Sequence, residues 1–549
     1  MATPDAGGDA AALQRQRSID QAVAEGHDAD IPSDIGVVLD EQGEKQRQHA
    51  IAEQQQRRAS LARKRSLSGD VEKDAKDNNA PVADDDDDHD PNVVWWDDND
   101  PANPYNWPTW TKVLNCVLIS MLTFVTPLGS SIFAPGVSQL MHEFQSDNLE
   151  LASFVVSVYV LGFAAGPLVI APLSEIYGRL VVYHACNIGF VAFLVGCALA
   201  PTLNALIVFR FFSGVFGSCP LSNGGGTIAD MIVQEKRAMA MSAFSIGPLL
   251  GPIIGPVAGG FLAGAKGWRW VFWLMVILMG SLTVAIFAFA RESYAPVLLQ
   301  RKVDRLRRET GNELLRSKLD SGLTPADYFK RSIIRPLRML AFSPLCIAFA
   351  VYISIVYGYL YIMFTSVSVV FTQYYGFNTS TVGLVFLGLG VGSMAGLLYF
   401  SISSDRAIKK AGKDAKPEHR LASLPAGAIM LPVGFFIYGW TAQYRVHWIV
   451  PILSHVLIGM GNIIIFASMN LALIDTFTIY AASALAANTV ARSVFGAVLP
   501  LFGLKMYEAL GLGWGNSLLA FIAAAMVPGA FLIIRYGELL RTKYPIKNL

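Results

Sequence analysis

The sequence predicts an all-α membrane protein: twelve transmembrane helices in two six-helix bundles, preceded by a disordered N-terminal tail. Three observations predict it. Of 549 residues, 53% are hydrophobic and only 15% charged, whereas soluble domains carry about a quarter charged residues. From residue 107 onward, apolar blocks of roughly 20 residues or more recur at short intervals, each long enough as a helix to cross a ~30 Å hydrocarbon core. The blocks fall into two sets of six on either side of one polar connector, 291–342. They are continuous runs and not alternating segments of about ten residues, which excludes a β-barrel.

The tail, 1–106, has no hydrophobic period and includes Gln54–Gln56 and the acidic run Asp84–Asp88. Such a segment buries too little apolar surface to offset its ordering entropy. It lacks the short apolar core of a secretory signal, so the first span is expected to act as the insertion signal. Arg57-Arg58-Ala-Ser60 and Arg63-Lys64-Arg65-Ser66 resemble basophilic kinase sites. A kinase acting on Ser60 and Ser66 would neutralise a basic cluster able to touch anionic lipid. The alternative is a plain solvated tail.

The predicted spans are 113–134, 152–173, 181–200, 203–227, 239–264 and 270–290, then 344–371, 382–403, 422–442, 448–472, 483–506 and 515–536. The resulting units are a bundle over 107–290, the connector 291–342, a second bundle over 343–536 and a short tail, 537–549. Orientation follows from loop Lys and Arg. The connector carries twelve of them and 404–420 six more, while the opposite loops are poor in both. Both loops, and with them both termini, are therefore assigned to the cytoplasm. The membrane is read as the plasma membrane, with the vacuolar membrane as the alternative.

Several function classes drop out. Lys+Arg is 43 and Asp+Glu is 42, so charge offers nothing to nucleic acid. All five cysteines lie in or beside apolar spans, and no Cys/His cluster has metal-ligand spacing. No Gly-x4-Gly-Lys-Ser/Thr, Gly-x-Ser-x-Gly or His-Glu-x-x-His occurs. Neither an ATP site, a cofactor nor an embedded enzyme is expected. Two six-helix halves joined by a charged connector suggest alternating access, the halves rocking about a site near the midplane.

Three stretches carry the transport signal. Between spans two and three stands Gly166-Pro-Leu-Val-Ile-Ala-Pro-Leu173-Ser-Glu175-Ile-Tyr-Gly178-Arg179. A carboxylate and an arginine beside a helix end can latch two bundles through charge-assisted hydrogen bonds. The alternative is a tight loop that needs glycine, with an arginine obeying charge bias. Span four holds Arg210 within Phe209-Arg210-Phe211-Phe212-Ser213-Gly214. A charge near a bilayer centre costs about 2.5–3.5 kcal/mol or more, so it faces a cavity or a partner unless it snorkels outward. Span five reads Gly247-Pro248-Leu-Leu-Gly251-Pro252-Ile-Ile-Gly255-Pro256-Val-Ala-Gly259-Gly260. Glycines every four residues make one smooth stripe for close helix approach, and the prolines loosen the helix.

These residues resemble the major facilitator superfamily. Leu173, Glu175, Gly178 and Arg179 match its loop pattern Gly-x-Leu-x-Asp-Arg-x-Gly-Arg-Arg/Lys, with Glu for Asp. Ala171, Ile176 and Leu180 depart from it, which weakens the implied latch. Arg210 and Gly214 resemble an Arg-x-x-x-Gly element linked in that family to proton coupling. The span-five stripe closely resembles its antiporter motif. Asn103-Pro-Tyr-Asn-Trp107, Asn223-Gly-Gly-Gly-Thr-Ile-Ala-Asp230, Gly267-Trp-Arg-Trp-Val-Phe-Trp273, Glu292-Ser-Tyr-Ala-Pro, Pro417-Glu-His-Arg-Leu421 and Ala481-Ala-Ser-Ala-Leu-Ala-Ala-Asn488 narrow the likeness to the fungal twelve-span drug:proton antiporters, which include multidrug and polyamine exporters. The resemblance covers about 107–540. It implies efflux of drugs, fungicides or secondary-metabolite toxins in exchange for protons, as in drug resistance. The alternatives are a proton-coupled importer or uniporter, or a nutrient-sensing receptor on the same fold. The chain is read as a monomer whose partners are its small-molecule substrate, protons and the lipid bilayer.

An antiporter needs a group that changes protonation state, and buried carboxylates serve best. Asp230 and Asp475, which end spans four and ten, are the candidates, with Arg210 and Arg492 as partner charges. Each carboxylate also reads as a loop or cap residue at the cytoplasmic edge, and Arg492 as a structural ion pair or a carbonyl clamp. For substrate, Tyr357 and Tyr361 can stack on flat ligands, and Asn223, Asn470 and Asn488 can hydrogen-bond them. Acidic residues are nearly absent from span middles. That disfavours polyamines and leaves amphiphilic, neutral or weakly cationic compounds.

Overall fold

The computed structural model describes residues 92–543 except 98, 321, 323 and 413–415. Ser60 and Ser66 lie outside the described residues. Eleven of the described helices are long and apolar enough to cross a membrane. The last of these, Ala481–Lys543, is 63 residues long and is broken by non-helical Gly511 (φ 76°, ψ 169°). It is two crossings joined by a tight turn, so the twelve predicted spans are present.

Helices outrun their apolar windows because their ends are capped by polar residues. Span two runs Leu149–Tyr177, with the Asn148 side chain accepting from the Glu150 and Leu151 N–H groups. Span seven runs Pro344–Tyr375, capped by the Ser343 hydroxyl. Such side chains satisfy helix-end donors that would otherwise be orphaned. Span four is two pieces, Leu203–Gly217 and Cys219–Met231. Pro220, which lacks an N–H, follows the break at Ser218.

The helices pack around two hydrophobic cores. One draws on residues from Trp107 to Ile286, and the other on residues from Met339 to Ile533, joined by Val160 of span two. Because crossings alternate, one face of the bundle carries the connector and the 2–3, 4–5, 8–9 and 10–11 turns. The other face carries the 1–2, 3–4, 5–6, 7–8, 9–10 and 11–12 turns.

The two sets of six meet toward the face opposite the connector. There Lys505 Nζ lies 2.5 Å from Glu150 Oε1, and Gln139 Nε2 lies 3.5 Å from Thr379 Oγ1. A side chain at Gly260 of span five would collide with the Thr379 carbonyl and with Gly383 at the start of span eight. Deeper in, the Ser157 hydroxyl of span two donates to the Ala497 carbonyl of span eleven at 2.9 Å.

The connector is folded. Helices Ala295–Thr310 and Pro325–Phe342 flank a two-residue strand, Arg316–Ser317, that pairs in parallel with Val93–Val94. Val94 packs on fully buried Leu299 and Val303. Folded elements are therefore present among the described residues ahead of residue 106. The apolar Val93-Val94-Trp95-Trp96 is the reason: its hydrophobic side chains find a surface that only the folded connector supplies. Lys302 Nζ donates to Asp97 Oδ2 at 2.7 Å and Asp100 Oδ2 at 2.8 Å, tying the same segment down. Burial alone would raise the Asp100 carboxyl, but the bonds from Lys302 and the Ala102 N–H, with the charges of Lys302 and Arg305, together outweigh this and hold it below the usual carboxylate value.

Candidate functional site

Gly178 turns span two into span three. Its φ of +100° suits glycine, and a Cβ there would strike the Glu292 carboxylate. That carboxylate caps span three: Oε1 accepts from the Arg179 N–H at 3.0 Å and Oε2 from the Leu180 N–H at 3.0 Å. The Ser293 and Tyr294 N–H groups also donate to Oε1. An anion at a helix N-terminus meets both orphaned donors and the positive end of the helix dipole. Glu292 stands in a stretch that carries the resemblance, but sequence reading gave it no role at this site; the signal was a carboxylate directly after span six.

Arg179 is buried and acts as a hub. Nη1 donates to Ser174 Oγ at 2.7 Å, Nε to Asp230 Oδ2 at 3.3 Å, and Nη2 lies 3.9 Å from Glu175 Oε1. Its guanidinium also sits 4.7 Å from the Tyr294 ring centroid. Burial pushes the Tyr294 hydroxyl up to about 12, so it stays neutral. Glu175 accepts from the Tyr328 hydroxyl of the second connector helix. That helix packs on span two and on the last long helix, and its Arg335 lies 4.8 Å from the Tyr480 ring between spans ten and eleven. Glu175 and Arg179 bond within their own bundle and to the connector, whose second helix also reaches the Tyr480 ring.

Asp475 has the counterpart arrangement. It accepts from Arg420 Nε at 2.9 Å, and Arg420 Nη1 reaches Ser404 Oγ at 3.4 Å. Asp230 and Asp475 both lie at the connector face, each ion-paired within its own half.

The span-five stripe behaves as its spacing predicts. A Cβ at Gly247, Gly251, Gly255 or Gly259 would press on the backbone of span one between Ser120 and Ile132. Pro256 lacks the N–H that would bond the Pro252 carbonyl four residues back. Ser131 of span one donates to that carbonyl at 2.9 Å. Pro248 and Pro252 free carbonyls in the same way. The four-residue glycine stripe therefore joins span five to span one, while Ile253, Pro256 and Gly260 lie against span eight of the other half.

Arg210 does not snorkel. It is 1% exposed and lies among three rings, 5.4 Å from Phe133, 5.4 Å from Tyr159 and 5.7 Å from Phe272. Nη2 donates to the Ser130 and Val156 carbonyls at 3.4 and 3.3 Å. Nε has no hydrogen-bond partner among the described residues. Arg492, partly exposed, lies 4.9 Å from the Tyr357 ring and 5.2 Å from the Phe466 ring. Among the described residues no carboxylate oxygen lies within 4.0 Å of either guanidinium. The ion pair expected for Arg492 is absent among them, because the carboxylates lie nearer the faces.

The substrate candidates divide. Tyr357, whose ring lies 4.9 Å from the Arg492 guanidinium, is partly exposed, as is Asn470, one turn beyond the Phe466 ring that also faces Arg492. Tyr361, 2% exposed, donates to Ser130 Oγ at 3.1 Å, and Asn488, 1% exposed, donates to Asn470 Oδ1 at 3.0 Å. Asn223 is 1% exposed and accepts from Ser174 at the Arg179 hub. It is closed to any ligand in this conformation and stands apart from the other four.

The sequence pattern described as Major Facilitator Superfamily matches residues 119–500. An MFS-type transporter of Aspergillus flavipes, tndD, is 54% identical over 465 residues, covering 83% of this chain and 86% of the relative. An efflux pump of Floropilus chiversii, radE, is 50% identical over 460 residues, covering 82% and 85%. Among solved structures, a D-xylose-proton symporter superposes with a TM-score of 0.57 at 15% identity over 76% of this chain and 97% of that one. At that identity the likeness speaks for the fold alone. With the matched pattern spanning well over half of a twelve-span, two-core chain, the protein belongs to the major facilitator superfamily, as a membrane transporter and not an enzyme.

Proposed function

We propose that the chain is a proton-coupled antiporter that exports small amphiphilic organic compounds from the cytosol by alternating access. The observation that carries this reading is the placement of Tyr357, Asn470 and Arg492. They are partly exposed beneath a closed face, with the seam sealed above them by Ser157–Ala497 and Glu150–Lys505. If the basic connector marks the cytoplasm, this is a loading state. The radE name supports the outward direction. The chain would sit in the plasma membrane as a monomer with both termini inside, and a basophilic kinase acting on Ser60 and Ser66 would regulate it.

In the proposed cycle the substrate loads from the connector side and the halves rock. Tyr328 and Arg335 of the connector helix part from one half or the other as they do. Proton uptake at Asp230 or Asp475 loosens its bond to Arg179 or Arg420 and resets the carrier. Arg210 and Arg492 hold the opposing charge near the middle. The test is export of a compound panel from fungal cells stripped of their own pumps, with and without an uncoupler, for the parent protein, Asp230→Asn and Arg210→Ala. Uncoupler-sensitive export that both variants lose is the expected outcome. Export that survives the uncoupler sinks the coupling.

A further inference from the structure

The chemistry at the seam names a substrate class more closely, and this step rests on the transport reading for its direction of movement only. We infer that the central site binds an organic anion, an aromatic carboxylate or equally acidic group, through Arg492, with Tyr357 and Asn470 beside it.

Arg492 lies eleven residues beyond Ala481 at the start of span eleven, or ~17 Å along the axis at ~1.5 Å per residue. That is near the middle of a ~30 Å core. A charge at such depth needs a partner. Paired carboxylates of the membrane helices are occupied elsewhere: Glu143 by Arg269, Glu150 by Lys505, Asp230 and Glu175 by Arg179, Asp475 by Arg420, Glu418 by Arg541 and Glu538 by Lys416. Arg492 instead lies against two aromatic rings, which hold the guanidinium by cation–π attraction and leave its N–H donors without a carboxylate among the described residues.

The surroundings add positive potential and no negative charge. The Tyr357 and Tyr361 rings stand 5.1 Å apart, and Tyr361 donates to Ser130 Oγ. The carbonyl of that same Ser130 accepts from Arg210. Two unpaired arginines, one from each half, therefore stand at the two ends of a short chain of contacts. Ser493 Oγ, on the same helix as Arg492, is buried without a hydrogen-bond partner among the described residues, a hydroxyl able to donate to an anion. A planar carboxylate matches the guanidinium fork, and an attached ring would stack on Tyr357. A cationic compound would meet repulsion from Arg492, so an anion is favoured over the weakly cationic compounds expected from the sequence.

The experiment titrates the purified full chain in lipid nanodiscs with three probes of one shape: 2-naphthoate, its uncharged amide 2-naphthamide, and the cation 2-naphthylmethylammonium. Naphthoate is expected to bind at least about tenfold tighter than the amide, as charge-assisted hydrogen bonds allow, and the cation most weakly. Arg492→Gln removes the preference by weakening naphthoate far more than the amide, and Arg492→Lys keeps part of it. Should Arg492→Gln not purify as a single species, Arg492→Met, which removes the charge and keeps an apolar stem of similar length, gives the same readout. Equal binding of naphthoate and amide, preference for the cation, no binding of any probe, or a preference that survives Arg492→Gln each overturns the inference. Naphthoate binding without uncoupler-sensitive export would leave the inference standing and sink the antiport reading, so the two failures are distinguishable.

Discussion

Arg179 donates to Asp230 across spans three and four, and Arg420 donates to Asp475 across spans nine and ten in the same arrangement, each arginine also reaching a serine at the end of the preceding span. The halves carry one device twice. They differ in burial: the Arg179 and Asp230 side chains are 9% and 20% exposed, those of Arg420 and Asp475 25% and 33%.

That difference predicts unequal losses. Arg179→Ala strips a buried carboxylate of its partner and should cost about 1–3 kcal/mol. Arg420→Ala removes a wetter pair and should cost about 1 kcal/mol or less. Thermal unfolding of the purified variants in detergent checks the order, and equal shifts would count against it.

Glu292 gives a second prediction. Its carboxylate accepts four backbone N–H groups at the start of span three and the connector. Glu292→Ala should cost about 1–2 kcal/mol as a lost cap, and Glu292→Gln less, since the amide oxygen still accepts. Melting temperatures in the order parent, Gln, Ala are expected.

The span-five stripe gives a third. Gly255→Leu and Gly259→Leu drive side chains into the span-one backbone and should destabilise by about 1–3 kcal/mol each. Gly280→Ala, where a Cβ meets nothing within 4 Å, should be neutral or stabilise by up to about 1 kcal/mol, as alanine favours helix. A stable Gly259→Leu protein with normal export would refute the close packing.

The docked segment at 92–107 gives the fourth, a pH window. The Asp100 carboxyl is held low, so its contribution is present above the unfolded carboxylate value and lost as pH falls through its folded value. Burial would depress the Lys302 ammonium, but its bonds to Asp100 and Asp97 outweigh that and raise it. Its contribution is present below the unfolded lysine value and lost as pH rises through the folded one. Docking should therefore be flat between about pH 5 and 9. Lys302→Gln should speed hydrogen exchange at Val93–Val94 throughout that window.

Much of this was legible in the chain. Spans are read from runs of apolar residues, because a bilayer imposes one length on every crossing. The glycine stripe could be placed on one helix face from its four-residue period alone, since helical geometry is local. Sequence could not pair the charges. Arg179 and Asp230 are 51 positions apart, and Arg420 and Asp475 are 55 apart. Their pairing is set by which helix ends meet, as is the seat of Glu292 over Gly178. Nor could it tell that Arg210 would be sealed among rings while Arg492, the same residue type in another apolar span, stays partly open beside Tyr357. That contrast belongs to helix rotation and neighbours, which only tertiary packing decides.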